Sequence, residues 1–172
     1  MPRSIVLLAA AAAAVVTLSG CSQTVSGTAS PEPHPSANVS VEDSLKALDA
    51  CAVLAQLVEG QGFEPGVRKT VRNECHASKA DYGTYSLALD PYQGLAEFEG
   101  QATEIVPLQI NGREGREGKP GIAGMCEVAL EVGEHARALT AATMTRPGDD
   151  AKACPAARDL AAKVEPLLPE QQ

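Results

Sequence analysis

Four of the five cysteines, two of the three histidines and a few acids are the candidates for chemistry in this chain, and their spacing decides which chemistry. Cys51, Cys75, Cys126 and Cys154 lie far apart, with no Cys-x-x-Cys pair and no His-x-x-x-His spacing that His76 or His135 would complete. That excludes a dithiol switch and a zinc cluster, and an even cysteine number points instead to two disulfides in an oxidising compartment. No metal and no cofactor is expected. His76 adjoins Cys75, but neighbouring strand residues point to opposite faces, so a thiolate–imidazole pair oriented by Asp81 or Asp90 does not form. Glu127 and Glu131 share one face of a strand and read as its solvated side rather than as an acid pair. The glycine-rich run at 111–121 contains Gly118-Lys119, but Pro120 follows where a phosphate loop carries Ser or Thr and a helix. It reads as a solvated, mobile hairpin loop. No Gly-x-Ser-x-Gly elbow is present. No catalytic residue emerges, and the expectation is a protein that is not an enzyme.

The fifth cysteine has a different setting. Leu18-Ser19-Gly20-Cys21 closes a segment with one basic residue, Arg3, and an apolar run from Ile5 to Val16. A charged start, a short apolar core and small residues before the cut site form an export signal. The run is shorter than the roughly 20 residues a spanning helix needs. Leu-Ser-Gly-Cys resembles the lipobox of bacterial lipoproteins. The resemblance implies cleavage between Gly20 and Cys21, removal of residues 1–20 and acylation of Cys21. The expected address is the outer face of the cell membrane, reached by export and kept by lipid.

Composition narrows the partners. The chain has 14 basic and 22 acidic residues, and loss of the leader removes only Arg3, leaving 13 against 22 and a formal charge of −9. Such an acidic chain is not built to neutralise nucleic-acid phosphates or to grip anionic lipid through basic residues. The membrane partner is therefore met through the acyl chains alone. With no tryptophan, two Phe and three Tyr, there is no aromatic platform for stacking bases.

Residues 21–40 are rich in Ser, Thr and Pro and offer little to bury, so they read as a disordered tether of about 25 Å average span. A single domain is expected over 41–169. Leu45, Leu48, Ala52 and Ala55, widened by Cys51, Leu54 and Val58, predict a first helix ended by Gly60 and Gly62; Asp49 offers an alternative start at Cys51. Period-two segments follow at 69–77, 84–89 and 104–110, with one helical turn at 94–98. Residues 125–144 read as a hairpin turning at Gly133-Glu134, with Val128 opposite Leu139 and Cys126 opposite Ala141. Pro155 sits at the start of a last helix whose inward stripe is Ala157, Leu160, Ala161, Val164 and Leu168. The expected fold is α+β: an antiparallel sheet of four to five strands, an N-terminal and a C-terminal helix packed on one face, and two disulfides. Pairing Cys51 with Cys75 and Cys126 with Cys154 staples each helix to the nearest part of the sheet. The competing connectivity is Cys51 with Cys154 and Cys75 with Cys126.

The cysteine contexts resemble a known family. Asp49-Ala50-Cys51-Ala52-Val53-Leu54, Asn73-Glu74-Cys75, Cys126-Glu127-Val128-Ala129-Leu130 and the run from Ala153-Cys154-Pro155 to Ala161 follow the layout of actinobacterial lipoproteins called domain of unknown function 3558. The Gly112-Arg113 step fits its Gly-Arg element, whereas Cys75-His76-Ala77 departs from the family's frequent x-Trp after the second cysteine. The resemblance covers about residues 41–168 and implies location and architecture, because the family has no established activity. Two classes of function follow. One is an anchored domain that binds a small ligand or an envelope protein without catalysis; the other is an envelope hydrolase or transferase with an unrecognised site. A deep pocket with convergent titratable groups distinguishes them.

Overall fold

The structure is a computed structural model that describes residues 40–69 and 72–170. The leader at 1–20, Cys21 and the tether up to residue 39 lie outside those residues. Ser40 caps the first helix, accepting from the Asp43 amide. Helix α1 (Val41–Ala47) breaks at Leu48, and Asp49 then caps α2 (Ala50–Val58) by accepting from the amides of Cys51 and Ala52. Strands β1 (Val67–Arg68), β2 (Glu74–Lys79) and β3 (Gly83–Asp90) follow, then α3 (Leu95–Glu99). Strands β4 (Thr103–Ile110), β5 (Arg113–Lys119), β6 (Met125–Gly133) and β7 (Ala136–Met144) complete the sheet, and α4 (Ala153–Val164) closes the domain after a 3-10 turn. All seven strands are antiparallel, in the order β1-β2-β3-β7-β6-β5-β4.

One face of the sheet carries α1, α2 and α4. Leu45, Leu54 and Val58 pack there with Leu160, Ala161 and Val164 against Leu87, Leu89, Val128, Leu130 and Val132. Because this core is aliphatic and rich in alanine, its fixed points matter. Cys51 joins Cys75 and ties α2 to β2, while Cys126 joins Cys154 and ties β6 to α4, the sequential pairing. On the other face, α3 seals a smaller cluster in which Phe98 and Leu95 rest on Ala129, Ala102, Ile105 and Leu139. A side chain at Gly118 would meet Ile105, Ala102 and Phe98 within about 3.2 Å, so glycine makes room for that helix.

The α+β class, the antiparallel sheet and the two disulfides agree with the sequence reading, but four details differ. The sheet has seven strands rather than four or five. Residues 113–119, expected as part of a solvated loop, form β5, second from one edge of the sheet. Two of its charges are buried: Arg113 and Glu117 are each 6% exposed. Arg113 bonds Glu165 and the Glu131 and Pro169 carbonyls, and Glu117 receives two bonds from Arg158 of α4. Ion pairs to the last helix replace the apolar alternation that normally betrays a strand.

The first helix is two helices, and the break turns Ala52 and Ala55 to solvent. The β6–β7 hairpin turns at Glu134-His135, with Val128 opposite Thr140 and Cys126 opposite Ala142. A one-residue slip exchanges the faces of a strand. Leu139 and Ala141 therefore face away from α4, and Ala138, Thr140 and Ala142 face it. Strand β7 is buried on both sides, so alternation alone did not fix its register. Finally, helices cover both faces of the sheet, not one.

Candidate functional site

The part of the second face that α3 leaves open is a groove of about 910 Å³. Alternation supplies its floor. Leu87 and Leu89 enter the main core, so Ala88 and Asp90 turn outward beside Glu74 of β2, Arg137 and Leu139 of β7, and Glu127 of β6. The short side chain of Ala88 leaves depth where a larger residue would fill it. Gln93, Gln101 and Pro120 form one wall; Arg72, Asn73 and Glu74 form the other. The far end is the α1–α2 junction, fixed by Asn73, which donates to the Leu48 carbonyl at 2.7 Å and accepts from the Ala50 amide at 3.0 Å. Tyr92 stands at that end, 73% exposed, with the Lys46 ammonium over its ring.

Arg137 is the unusual member. It is 2% exposed, yet no carboxylate contacts its guanidinium among the described residues. Nη1 donates to the Gly94 carbonyl at 3.2 Å, and Nη2 donates to the side-chain oxygens of Gln93 and Gln101 at 3.1 and 3.0 Å. Nε, also buried, has no acceptor. The Phe98 ring lies 5.6 Å from Cζ. Burial lowers the guanidinium pKa, against the more distant pull of Asp90, Glu127 and Glu97. Burial likewise raises the Glu127 carboxyl above its ordinary value; Arg137 opposes that shift and Glu74 adds to it. The floor thus holds a cation without a touching counter-ion beside an acid whose carboxyl is raised by burial.

Several other charged groups of the groove have partners within the protein. Asp49 pairs with Arg68 and Lys46 with Asp43. Asp90 accepts from the Tyr92 amide at 3.0 Å, and Glu74 holds His76 Nε2 at 2.5 Å.

A family model described as "Protein of unknown function (DUF3558)" matches residues 16–167, a span that contains every helix and strand from α1 to α4. The chain belongs to the DUF3558 family. No curated protein and no solved structure matches it.

In this DUF3558 domain the residues singled out in the sequence fall into distinct places. The four paired cysteines are staples between the helices and the sheet. Glu117, Cys126 and Cys154 bring three potential metal ligands within 4.8 Å, but both sulfurs are in the disulfide and Glu117 is on Arg158. Cys75 and His76 point to opposite faces, and His76 instead lies between Glu74 and Ser86, whose hydroxyl is 3.3 Å from Nδ1. Ser86, His76 and Glu74 stand in the order of a hydrolytic triad. The β3 amides around Ser86 are engaged in ladders with β2 and β7, which leaves no backbone pair for an oxyanion. Glu127, read from sequence as solvated, lines the groove. Glu131 does not line it. Arg137, Gln93, Gln101 and Arg72 were missed. The available signal was Arg137 itself, a charge set between Ala136 and Ala138 in a strand apolar on both faces. Among the described residues, no helix is long and apolar enough to cross a membrane.

Proposed function

We propose that this DUF3558 protein is an exported lipoprotein of an actinobacterial envelope whose domain holds a ligand in the groove without transforming it. In this reading residues 1–20 are removed, Cys21 is acylated, residues 21–40 form the tether, and residues 41–169 are displayed at the outer face of the cell membrane. The Leu18-Ser19-Gly20-Cys21 run supports the anchor, and two disulfides suit an oxidising compartment. The observation that carries ligand binding is the buried Arg137 on the groove floor, held only by neutral oxygens. A buried cation without a contacting counter-ion is costly, and sites that carry such a cost are enriched in function.

The Ser86–His76–Glu74 line favours the second reading, an envelope hydrolase or transferase. One experiment tests both. The isotope-labelled full-length protein in neutral detergent is screened by NMR against short-chain esters, acids, amines and alcohols. The expected result is amide shifts confined to Ala88, Leu139 and Gln101, with every compound recovered unchanged. Ester turnover abolished by Ser86→Ala would establish the hydrolase instead. Absence of shifts at the groove would overturn ligand binding.

A further inference from the structure

We propose that the occupant of the groove is an organic anion, a carboxylate or phosphate head on a short apolar body, whose oxygens replace the Gln101 amide at Arg137. The proposal rests on the ligand-binding reading above and adds the class of ligand. The buried guanidinium of Arg137 sets the sign of the charge at the floor. Asp49 is on Arg68 and Lys46 on Asp43, and the carboxyl groups of Glu74, Asp90 and Glu127 make no contact with that guanidinium. Among the described residues, the basic groups of the groove without a carboxylate partner are Arg137 on the floor and exposed Arg72 on the wall.

The three acceptors at Arg137 are not equivalent. The Gly94 carbonyl is backbone, and Gln93 is half-buried. Gln101 is exposed and is tied, besides Arg137, only to Gln93 at 3.4 Å. An exposed neutral amide on a cation is readily displaced by an anion, whose bond to guanidinium is roughly twice as strong. Ala88, Leu139, Pro91, Pro120 and the Tyr92 ring provide apolar surface for the body of the ligand. The space of about 910 Å³ far exceeds what an inorganic ion needs.

The test titrates the full-length protein in neutral detergent with hexanoate, hexyl phosphate, hexylamine, hexan-1-ol and inorganic phosphate. It follows the Arg137 Nε–H signal and the Leu139 methyls. Hexanoate or hexyl phosphate should shift both signals, the stronger of the two identifying the head group. Hexanol and inorganic phosphate should bind at least about tenfold more weakly. Gln101→Glu places a carboxylate on Arg137 from a solvent-exposed position, so the fold survives, and it should lower anion affinity at least about tenfold. Gln101→Ala should retain or improve binding, and Arg72→Ala should weaken it. Hexylamine or hexanol binding as tightly as hexanoate would overturn the anion assignment and leave ligand binding standing. An unchanged affinity in Gln101→Glu would overturn the exchange at Arg137. No shift with any probe would remove both the proposal and the reading beneath it.

Discussion

Arg113→Ala should be among the most destabilising single substitutions on the sheet, although it lies in a segment with the composition of a loop. The guanidinium is 6% exposed and makes three bonds: to Glu165 at 3.0 Å, to the Glu131 carbonyl at 2.9 Å and to the Pro169 carbonyl at 2.9 Å. Truncation leaves a partly buried carboxylate without its cation and two carbonyls without donors. Breaking one side of a buried pair costs about 3–5 kcal/mol, equivalent for a domain of this size to roughly 10–20 °C in melting temperature. Urea and thermal unfolding followed by circular dichroism, with disulfides intact, measure it. Glu165→Gln keeps an acceptor for Arg113 and should cost about 1–2 kcal/mol. A loss below about 1 kcal/mol for Arg113→Ala would refute the claim that paired charges hold β5 against α4.

Three further outcomes are expected. Replacing both Cys126 and Cys154 with Ala opens a closure of 28 residues and should cost about 3.6 kcal/mol in the chain-entropy model; unchanged urea unfolding would contradict this. Burial raises the folded pKa of Glu127 above 4.5, so the folded state binds more protons than the unfolded one and stability falls as pH rises past about 4.5. Glu127→Gln should remove that fall, leaving the variant relatively more stable near neutrality and converging on wild type in acid; parallel pH–stability curves would contradict it. Cys21→Ala should leave an unprocessed precursor or release the protein from membranes, as fractionation and intact mass measure. Normal processing and retention would refute acylation at Cys21.

The parts of the fold visible in the sequence are those where one physical signal acts alone. Asp49 before an apolar helix, Pro155 in the first turn of α4 and the alternation of β6 each stand for one local preference, and each element forms. The Cys51–Cys75 and Cys126–Cys154 bonds are one of the two connectivities weighed from the sequence, each joining a helix to a strand fewer than 30 residues away. What stayed hidden depends on contacts between distant residues. Strand β5 reads as a loop until Arg158 and Glu165, some 40 and 50 residues later, neutralise Glu117 and Arg113. Its best local signal was Asn111-Gly112, whose positive φ values of 52° and 92° make the two-residue turn from β4. The groove was hidden for the same reason. Arg137 becomes a site only when β7 is set between β3 and β6 and when Gln93 and Gln101, from either side of α3, reach it.

Native mass spectrometry of the protein extracted from its own envelope tests the central claim most directly. The account predicts a chain that starts at Cys21 and carries acyl groups, with a non-covalent anionic adduct that leaves on collisional activation and is missing from Gln101→Glu prepared in the same way. A wild-type protein without an adduct, or an adduct equally abundant on Gln101→Glu, would contradict it.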